Sequence, residues 1–156
     1  MSARSASILL VEDDSNDVLL IRRAFKKVRP ELRIDIVSDG EEAISYLDRQ
    51  PPYDDRTRYP APSLMLLDLK LPRRNGLEVL EWVRRHATLK YMLVVVLTSS
   101  QENPDINRAY ELGVNSYLVK PVGFEDLVDL MGQVDRYWFT LNKEPRIPNG
   151  WSGWEA

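Results

Sequence analysis

Four apolar residues in succession, Leu64-Met65-Leu66-Leu67, end on a single carboxylate, Asp68, with Leu69-Lys70-Leu71-Pro72 behind it. The run is too short to cross a membrane and has no alternation that would leave one face wet. It reads as a strand covered by helices on both sides, as in a parallel sheet. Pro72 has no N–H for a ladder, so the strand stops short of it. Asp68 is therefore expected at the carboxyl end of a central strand, the edge at which open α/β sheets carry their chemistry. An aspartate in such a place also suits a turn, and its meaning depends on what the other strands bring to the same edge.

Taken in order, the chain alternates such runs with helical patterns. Ser7-Ile8-Leu9-Leu10-Val11 reads as a first buried strand ending on Glu12-Asp13-Asp14, with Ser15, Asn16 and Asp17 as candidate N-caps of a helix that carries Val18, Ile21, Phe25 and Val28 at helical spacing. Arg33 to Val37 is a β-branched, alternating strand, expected nearer an edge, and Glu41 to Asp48 a second helix. Gln50 to Pro62 carries four prolines and reads as an elaborated surface loop, about twice the usual connection. After the Asp68 strand, Leu77 to His86 forms a third helix, with His86 as a solvated cationic cap. Met92 to Leu97 is a strand ending on Thr98-Ser99-Ser100, and Asp105 to Leu112 a helix closed by Gly113. Tyr117 to Val119 is a strand ending on Lys120-Pro121, and Phe124 to Trp138 a last amphipathic helix. Five strand–helix alternations point to a parallel sheet with helices on both faces. A domain over 1–138, with its core about 6–138, is followed by an irregular tail over 139–156 in which no output module would fit.

Composition narrows the chemistry. A net charge of −3 argues against nucleic acid or an anionic membrane as the main partner, and 44% apolar with 29% charged residues is ordinary for a soluble domain. There is no cysteine, hence no disulfide, thiolate nucleophile or Cys-ligated metal, and the one histidine excludes a multi-His metal site. The first residues lack the apolar core of a signal peptide, and a cytoplasmic setting is expected.

Right-handed crossovers bring every strand's carboxyl end to one edge. Glu12, Asp13, Asp68, Thr98 and Lys120 collect there. Crowded carboxylates raise one another's pKa unless a cation joins them. Hard oxygen ligands suit Mg²⁺, with Mn²⁺ or Ca²⁺ as substitutes. A lysine supplies a point charge and a hydroxyl a neutral donor for phosphoryl oxygens. Asp68 is then placed as a nucleophile toward phosphorus, forming an aspartyl-phosphate.

These residues, within Val11-Glu12-Asp13-Asp14, Leu66-Leu67-Asp68-Leu69-Lys70-Leu71-Pro72 with Gly76, Leu97-Thr98-Ser99-Ser100 and Tyr117-Leu118-Val119-Lys120-Pro121, resemble the motifs of the receiver domains of two-component response regulators over roughly residues 6–138. The resemblance implies a doubly wound, flavodoxin-like (βα)5 fold, and phosphorylation of Asp68 by a sensor histidine kinase. It further implies Mg²⁺ on Glu12, Asp13, Asp68 and the Lys70 carbonyl, phosphoryl binding by Thr98 and Lys120, and a cis bond before Pro121. Tyr117 falls at the aromatic switch position, coupled to Thr98. Within the family the chain looks like the small regulators serving cyanobacterial and bacterial phytochromes. That implies a phytochrome kinase as partner and a homodimer through the fourth helix, fifth strand and fifth helix, with Tyr110, Tyr137, Trp138 and Phe139 either at that interface or packed within one copy. The protein is then expected to be a switch with self-phosphorylation and autodephosphorylation only, not a turnover enzyme.

Two residues depart from the commoner pattern. Glu12 in place of Asp adds a methylene, so it would reach a metal through water or point elsewhere. Ser99 stands where a smaller residue is usual and would slow access to the phosphate. Three other readings fit less well. A haloacid-dehalogenase-type phosphatase needs an acid at position 70, which is Lys. A flavodoxin needs a phosphate loop where Glu12-Asp13-Asp14 stands. A pseudo-receiver acting only as a docking module would not need Asp68, Thr98 and Lys120.

Overall fold

The structure is a computed structural model that describes residues 6–145. Its elements are β1 (Ser7–Val11), α1 (Ser15–Val28), β2 (Arg33–Val37), α2 (Gly40–Leu47), β3 (Leu64–Leu67), α3 (Gly76–Arg85), β4 (Val94–Thr98), α4 (Asn103–Glu111), β5 (Ser116–Val119) and α5 (Phe124–Arg136), with a single π-helical turn at Tyr137–Leu141. The five strands form one parallel sheet in the order β2-β1-β3-β4-β5. The expected doubly wound architecture is therefore present, with β2 at one edge.

Unbroken apolar runs make the central strands because both faces are dry. Ile8, Leu10, Leu64, Leu66, Val95 and Leu97 pack with Ile21, Phe25, Leu127 and Met131 on the α1/α5 side. The alternate residues Leu9, Val11, Met65, Leu67, Val94 and Val96 pack with Ala43, Leu47, Val79, Leu80 and Val83 under α2 and α3. In register, Val11 faces Val37 and Leu67, Leu67 faces Val96, and Thr98 faces Val119. The last ladder residues of the inner strands are thus aligned, and the polar residues just beyond each strand emerge on one rim.

Several boundaries differ from expectation for identifiable reasons. The α1 cap is Asp14, whose side chain accepts from the Asn16 and Asp17 amides, rather than Ser15, Asn16 or Asp17. β4 begins at Val94, not Met92, because the Met92 carbonyl is taken by the Arg84 guanidinium at 2.7 Å. His86 is the C-cap of α3, with its amide on the Val83 carbonyl, but its ring is turned into the following loop rather than solvated. Its Nδ1 accepts the Thr88 and Leu89 amides at 3.0 and 3.1 Å, and the ring is half-buried. α5 ends at Arg136, and Tyr137–Leu141 continues as the π turn, closed by the Asn142 amide on the Tyr137 carbonyl at 2.7 Å, so the irregular tail does not begin at 139. Tail positions 146–156, including Trp151 and Trp154, lie outside the described residues, as do Met1 to Ser5.

The proline-rich loop between α2 and β3 has no regular element but is pinned to the domain. Tyr46, Tyr53 and Tyr59 stack with centroids 4.9–6.0 Å apart. The Tyr53 hydroxyl donates to Glu42 and the Tyr46 hydroxyl to Asp35 and the Pro60 carbonyl.

Two of the glycines that the backbone demands lie near the site-bearing segments. Gly113, at φ 94°, sits in a Schellman motif, with its amide on the Tyr110 carbonyl and that of Val114 on Ala109. At Gly76 a Cβ would lie 2.2 Å from the Asp68 carbonyl oxygen, so only glycine lets α3 start against the segment carrying Asp68. Gly76→Ala is expected to lower unfolding stability by about 1–3 kcal/mol, the usual cost of forced overpacking. Urea melts of the two proteins check this, and coincident midpoints would contradict it.

Candidate functional site

The rim at the carboxyl ends of β1, β3 and β5 is an open, almost wholly polar depression lined by Glu12, Asp13, Asp17, Asp68, Ser99 and Lys120, among others. Each side chain arrives there because its strand has just run out of apolar residues. Asp68 follows β3, with its amide on the Val11 carbonyl at 3.1 Å, which ties the β3 exit to the β1 exit. The Lys120 amide is on the Thr98 carbonyl at 2.8 Å and does the same for β5 and β4.

Glu12, Asp13 and Asp68 each offer one carboxylate oxygen, all within 4.8 Å of one another, a grouping of hard oxygens that can hold a divalent cation. Asp13 is exposed, while Glu12 and Asp68 are buried, so the grouping is open to solvent on one side. Lys120 reaches into it: Nζ donates to Glu12 Oε1 at 2.6 Å, Asp17 Oδ2 at 2.8 Å and Asp68 Oδ2 at 3.0 Å. The second Glu12 oxygen accepts the Asp14 amide at 3.1 Å, and Asp68 Oδ1 accepts the Lys70 amide at 3.3 Å. The longer Glu12 side chain thus points into the grouping rather than away from it.

Burial pushes the Glu12 carboxyl up to about 7, against the lowering effect of its bonds to Lys120 and the Asp14 amide, and the Asp68 charge adds to the rise. For Lys120, burial alone would favour the neutral amine. The carboxylates of Asp17, Glu12 and Asp68 outweigh it and hold the ammonium above its ordinary range. The site therefore combines a firmly charged lysine with a glutamate that holds its proton more tightly than a free carboxyl.

Thr98 does not line the depression. It lies at the end of β4, 1% exposed, and its Oγ1 has no hydrogen-bond partner. A buried hydroxyl left unsatisfied is uncommon and costs about 1–3 kcal/mol. It is a donor set aside from the protein's own bonding. Ser99 is the exposed one of the pair and stands on the lining. Tyr117 is half-buried against the α2/α3 side of the core, and its hydroxyl donates to the Ser100 carbonyl at 2.9 Å.

The structure thus brings Glu12, Asp13, Asp68 and Lys120 together, with the Lys70 amide beside them and Thr98 and Tyr117 one step back. The expectation at Pro121 is corrected. The cis bond among the described residues is Pro51–Pro52, and Lys120–Pro121 is not cis. Lys120 is placed by its amide on Thr98 and its ammonium on three acids, and that arrangement stands without the cis isomer. One residue was missed. Asp17 reads in the sequence as a capping candidate, yet its carboxylate is on Lys120. The available signal was its spacing of four from Asp13, which places it one turn up a helix that starts at the rim.

The chain belongs to the response regulator receiver family: residues 8–131 match the model of the response regulator receiver domain. Among curated relatives it is 42% identical over 138 residues to the probable methanogenesis regulatory protein FilR2 of Methanothrix harundinacea (88% of this chain, 86% of the relative). It is 37% identical over 131 residues to the response regulator Rcp1 of Synechocystis sp. (84% and 87%). Among solved structures it is similar to the phosphorylated cyanobacterial phytochrome response regulator RcpA, with TM-score 0.84 and 34% identity over 90% of this chain and 99% of that one. It is likewise similar to the Mn²⁺-bound form of Rcp1, with TM-score 0.80 and 36% identity over the same shares.

This geometry makes two predictions. Glu12 must lose its proton to accept a cation, and its raised value means that protons compete up to about 7. Mg²⁺ affinity measured by calorimetry should therefore fall as pH drops through 7, by at most about tenfold per unit for one proton released, and level off above it. A flat profile between pH 6 and 8 would contradict it. Thr98→Val removes a hydroxyl that has no partner, so its melting temperature should equal or exceed that of the wild type. A loss beyond about 1 kcal/mol would mean the hydroxyl is bonded.

Proposed function

We propose that the protein is a phospho-acceptor switch in which Asp68 takes a phosphoryl group from a phosphohistidine of a sensor kinase. The observation that carries this reading is the contact of Lys120 Nζ with Asp68 Oδ2 at 3.0 Å, a lone cation set on a carboxylate at the sheet rim. An Asp68 oxygen forms the new bond to phosphorus as the P–N bond to the donor imidazole breaks, and the imidazole leaves with the electron pair. Lys120 and Thr98 bind the phosphoryl oxygens, the first as a fixed charge and the second as the unengaged donor. Glu12, Asp13, Asp68 and the Lys70 carbonyl would hold Mg²⁺, or Mn²⁺ or Ca²⁺ in its place, and that ion would neutralise charge on the transferring oxygens. Hydrolysis of the aspartyl-phosphate resets the protein, and no free metabolite is turned over.

Tyr117 is the switch: drawing Thr98 toward the phosphate opens space beside β4, and the Tyr117 ring exchanges its bond to Ser100 for that space. The face altered is α4–β5–α5. We assign homodimerisation to that face, where Tyr110 and Tyr137 are each 52% exposed. Trp138 and Phe139 are half-buried against the α1/α5 core, and Trp138 also lines the depression between β5 and α5 beside Tyr137. The kinase we infer is a phytochrome, a reading supported by the likeness to RcpA and Rcp1 and not by that to FilR2. A cytoplasmic protein that signals by protein contact, without nucleic acid or membrane, accords with the acidic charge and with no helix among the described residues being long and apolar enough to cross a membrane.

Acetyl phosphate with Mg²⁺ tests the acceptor. The wild type should gain the mass of one phosphoryl group and Asp68→Asn none, and light scattering of both samples should register any change of assembly. If the wild type gains no mass with acetyl phosphate or with a phosphorylated phytochrome kinase, the pseudo-receiver reading replaces this one.

A further inference from the structure

Lys120 has three ammonium protons, and each is directed at a carboxylate: Glu12 at 2.6 Å, Asp17 at 2.8 Å and Asp68 at 3.0 Å. A phosphoryl oxygen can join Lys120 only if one of these contacts is given up. The three differ sharply in what release would cost. The Glu12 side chain is 2% exposed, so it would be left with a buried charge or a proton to rearrange, while Asp68, 9% exposed, is the acceptor itself and keeps its place in the phosphorylated centre. Asp17 is 35% exposed and returns to water. It is also outside the grouping of Glu12, Asp13 and Asp68 that can hold a cation, and among the described residues its carboxylate has no hydrogen-bond partner other than Lys120.

We propose that Asp17 is a positioning residue that holds Lys120 before phosphorylation and yields it to a phosphoryl oxygen afterwards, so that the Asp17–Lys120 contact opposes phosphoryl binding. The inference rests on the reading of Asp68 as phospho-acceptor. Two effects act in the same direction. Asp17 occupies a proton that the phosphoryl oxygen needs, and its negative charge stands beside the place where a phosphoryl anion arrives. The Coulomb part is moderated by solvent at a partly exposed pair.

The test uses the full chain with saturating Mg²⁺, beryllofluoride as a phosphoryl mimic and acetyl phosphate as donor. Asp17→Asn should bind beryllofluoride roughly three- to tenfold more tightly than the wild type, and react with acetyl phosphate faster by a similar factor, the range expected for one partly exposed charged hydrogen bond. Asp17→Ser should behave in the same way, guarding against a fold defect particular to one variant, with circular dichroism melts to check both. Asp17→Glu, which restores a carboxylate, should return both measurements toward wild type, a rescue that a merely structural role for position 17 would not give. Equal or weaker beryllofluoride binding by folded Asn and Ser variants, beside a wild type that does bind, overturns the role of Asp17 alone. A wild type that binds no beryllofluoride and accepts no phosphoryl group overturns the acceptor reading, and this inference with it.

Discussion

One ammonium shared among carboxylates from three different elements holds the rim of this protein together. Glu12 follows β1, Asp68 follows β3 and Asp17 rides on α1, yet all three converge on Lys120 after β5. Without that cation the acids would be brought into a half-buried space by the parallel register and would repel. The sheet, which is stabilised by dry contacts on both faces, would then carry an electrostatic penalty at the edge where its strands end. The register of the inner strands and the charge of a single lysine are therefore coupled. The fold concentrates the acids, and the lysine makes that concentration tolerable.

The same balance explains why the site can respond to ligands. A lysine bonded to acids is a charge already paired, and a glutamate raised by burial is an acid that gives up its proton reluctantly. A divalent cation held by the proposed grouping would favour ionised Glu12 and compete with Lys120 for the oxygens of Glu12 and Asp68, leaving Asp17 as the carboxylate that still holds the lysine. Metal and anion are thus expected to favour one another through the lysine, a coupling that is reciprocal by thermodynamic necessity.

Much of this was legible in the chain. The runs Ile8–Val11, Leu64–Leu67 and Val94–Leu97 are apolar at every position because both faces of the sheet are covered, and each apolar-to-polar step marks a strand exit. That is why Glu12, Asp13, Asp68 and Lys120 could be placed on one rim from spacing alone. Features that depend on a third dimension were not legible in that way. Asp17 looked like a cap because helix starts favour acids whatever else they touch, and Asp14 took the capping role instead. His86 reads as a solvated residue beside Arg84-Arg85, whereas the turn after it brings two amides onto its ring nitrogen. The four-proline loop read as an elaborated surface connection, and its anchors, Asp35 and Glu42, were hidden because they lie on other elements. The π turn at Tyr137–Leu141 has no periodic signature, and it lays Trp138 and Phe139, half-buried, against the core.

Thr98 gives the resting state an energetic bias of its own. Its hydroxyl is buried without a partner while the Tyr117 hydroxyl, one strand away, is satisfied by the Ser100 carbonyl. A ligand can shift a two-state element only by what it offers one state and not the other. In the proposed switch an anion on Asp68 offers Thr98 the bond it lacks. Recovering an unsatisfied hydroxyl is worth about 1–3 kcal/mol, enough to change a population ratio by roughly five- to 150-fold. The Tyr117–Ser100 bond opposes that change with the net value of an ordinary hydrogen bond, about 0.5–1.5 kcal/mol. The two terms are of similar size and opposite sign. The position of the equilibrium then depends on how much of Lys120 the anion also gains, which ties the movement of the β4–β5 edge back to the carboxylates that hold the lysine.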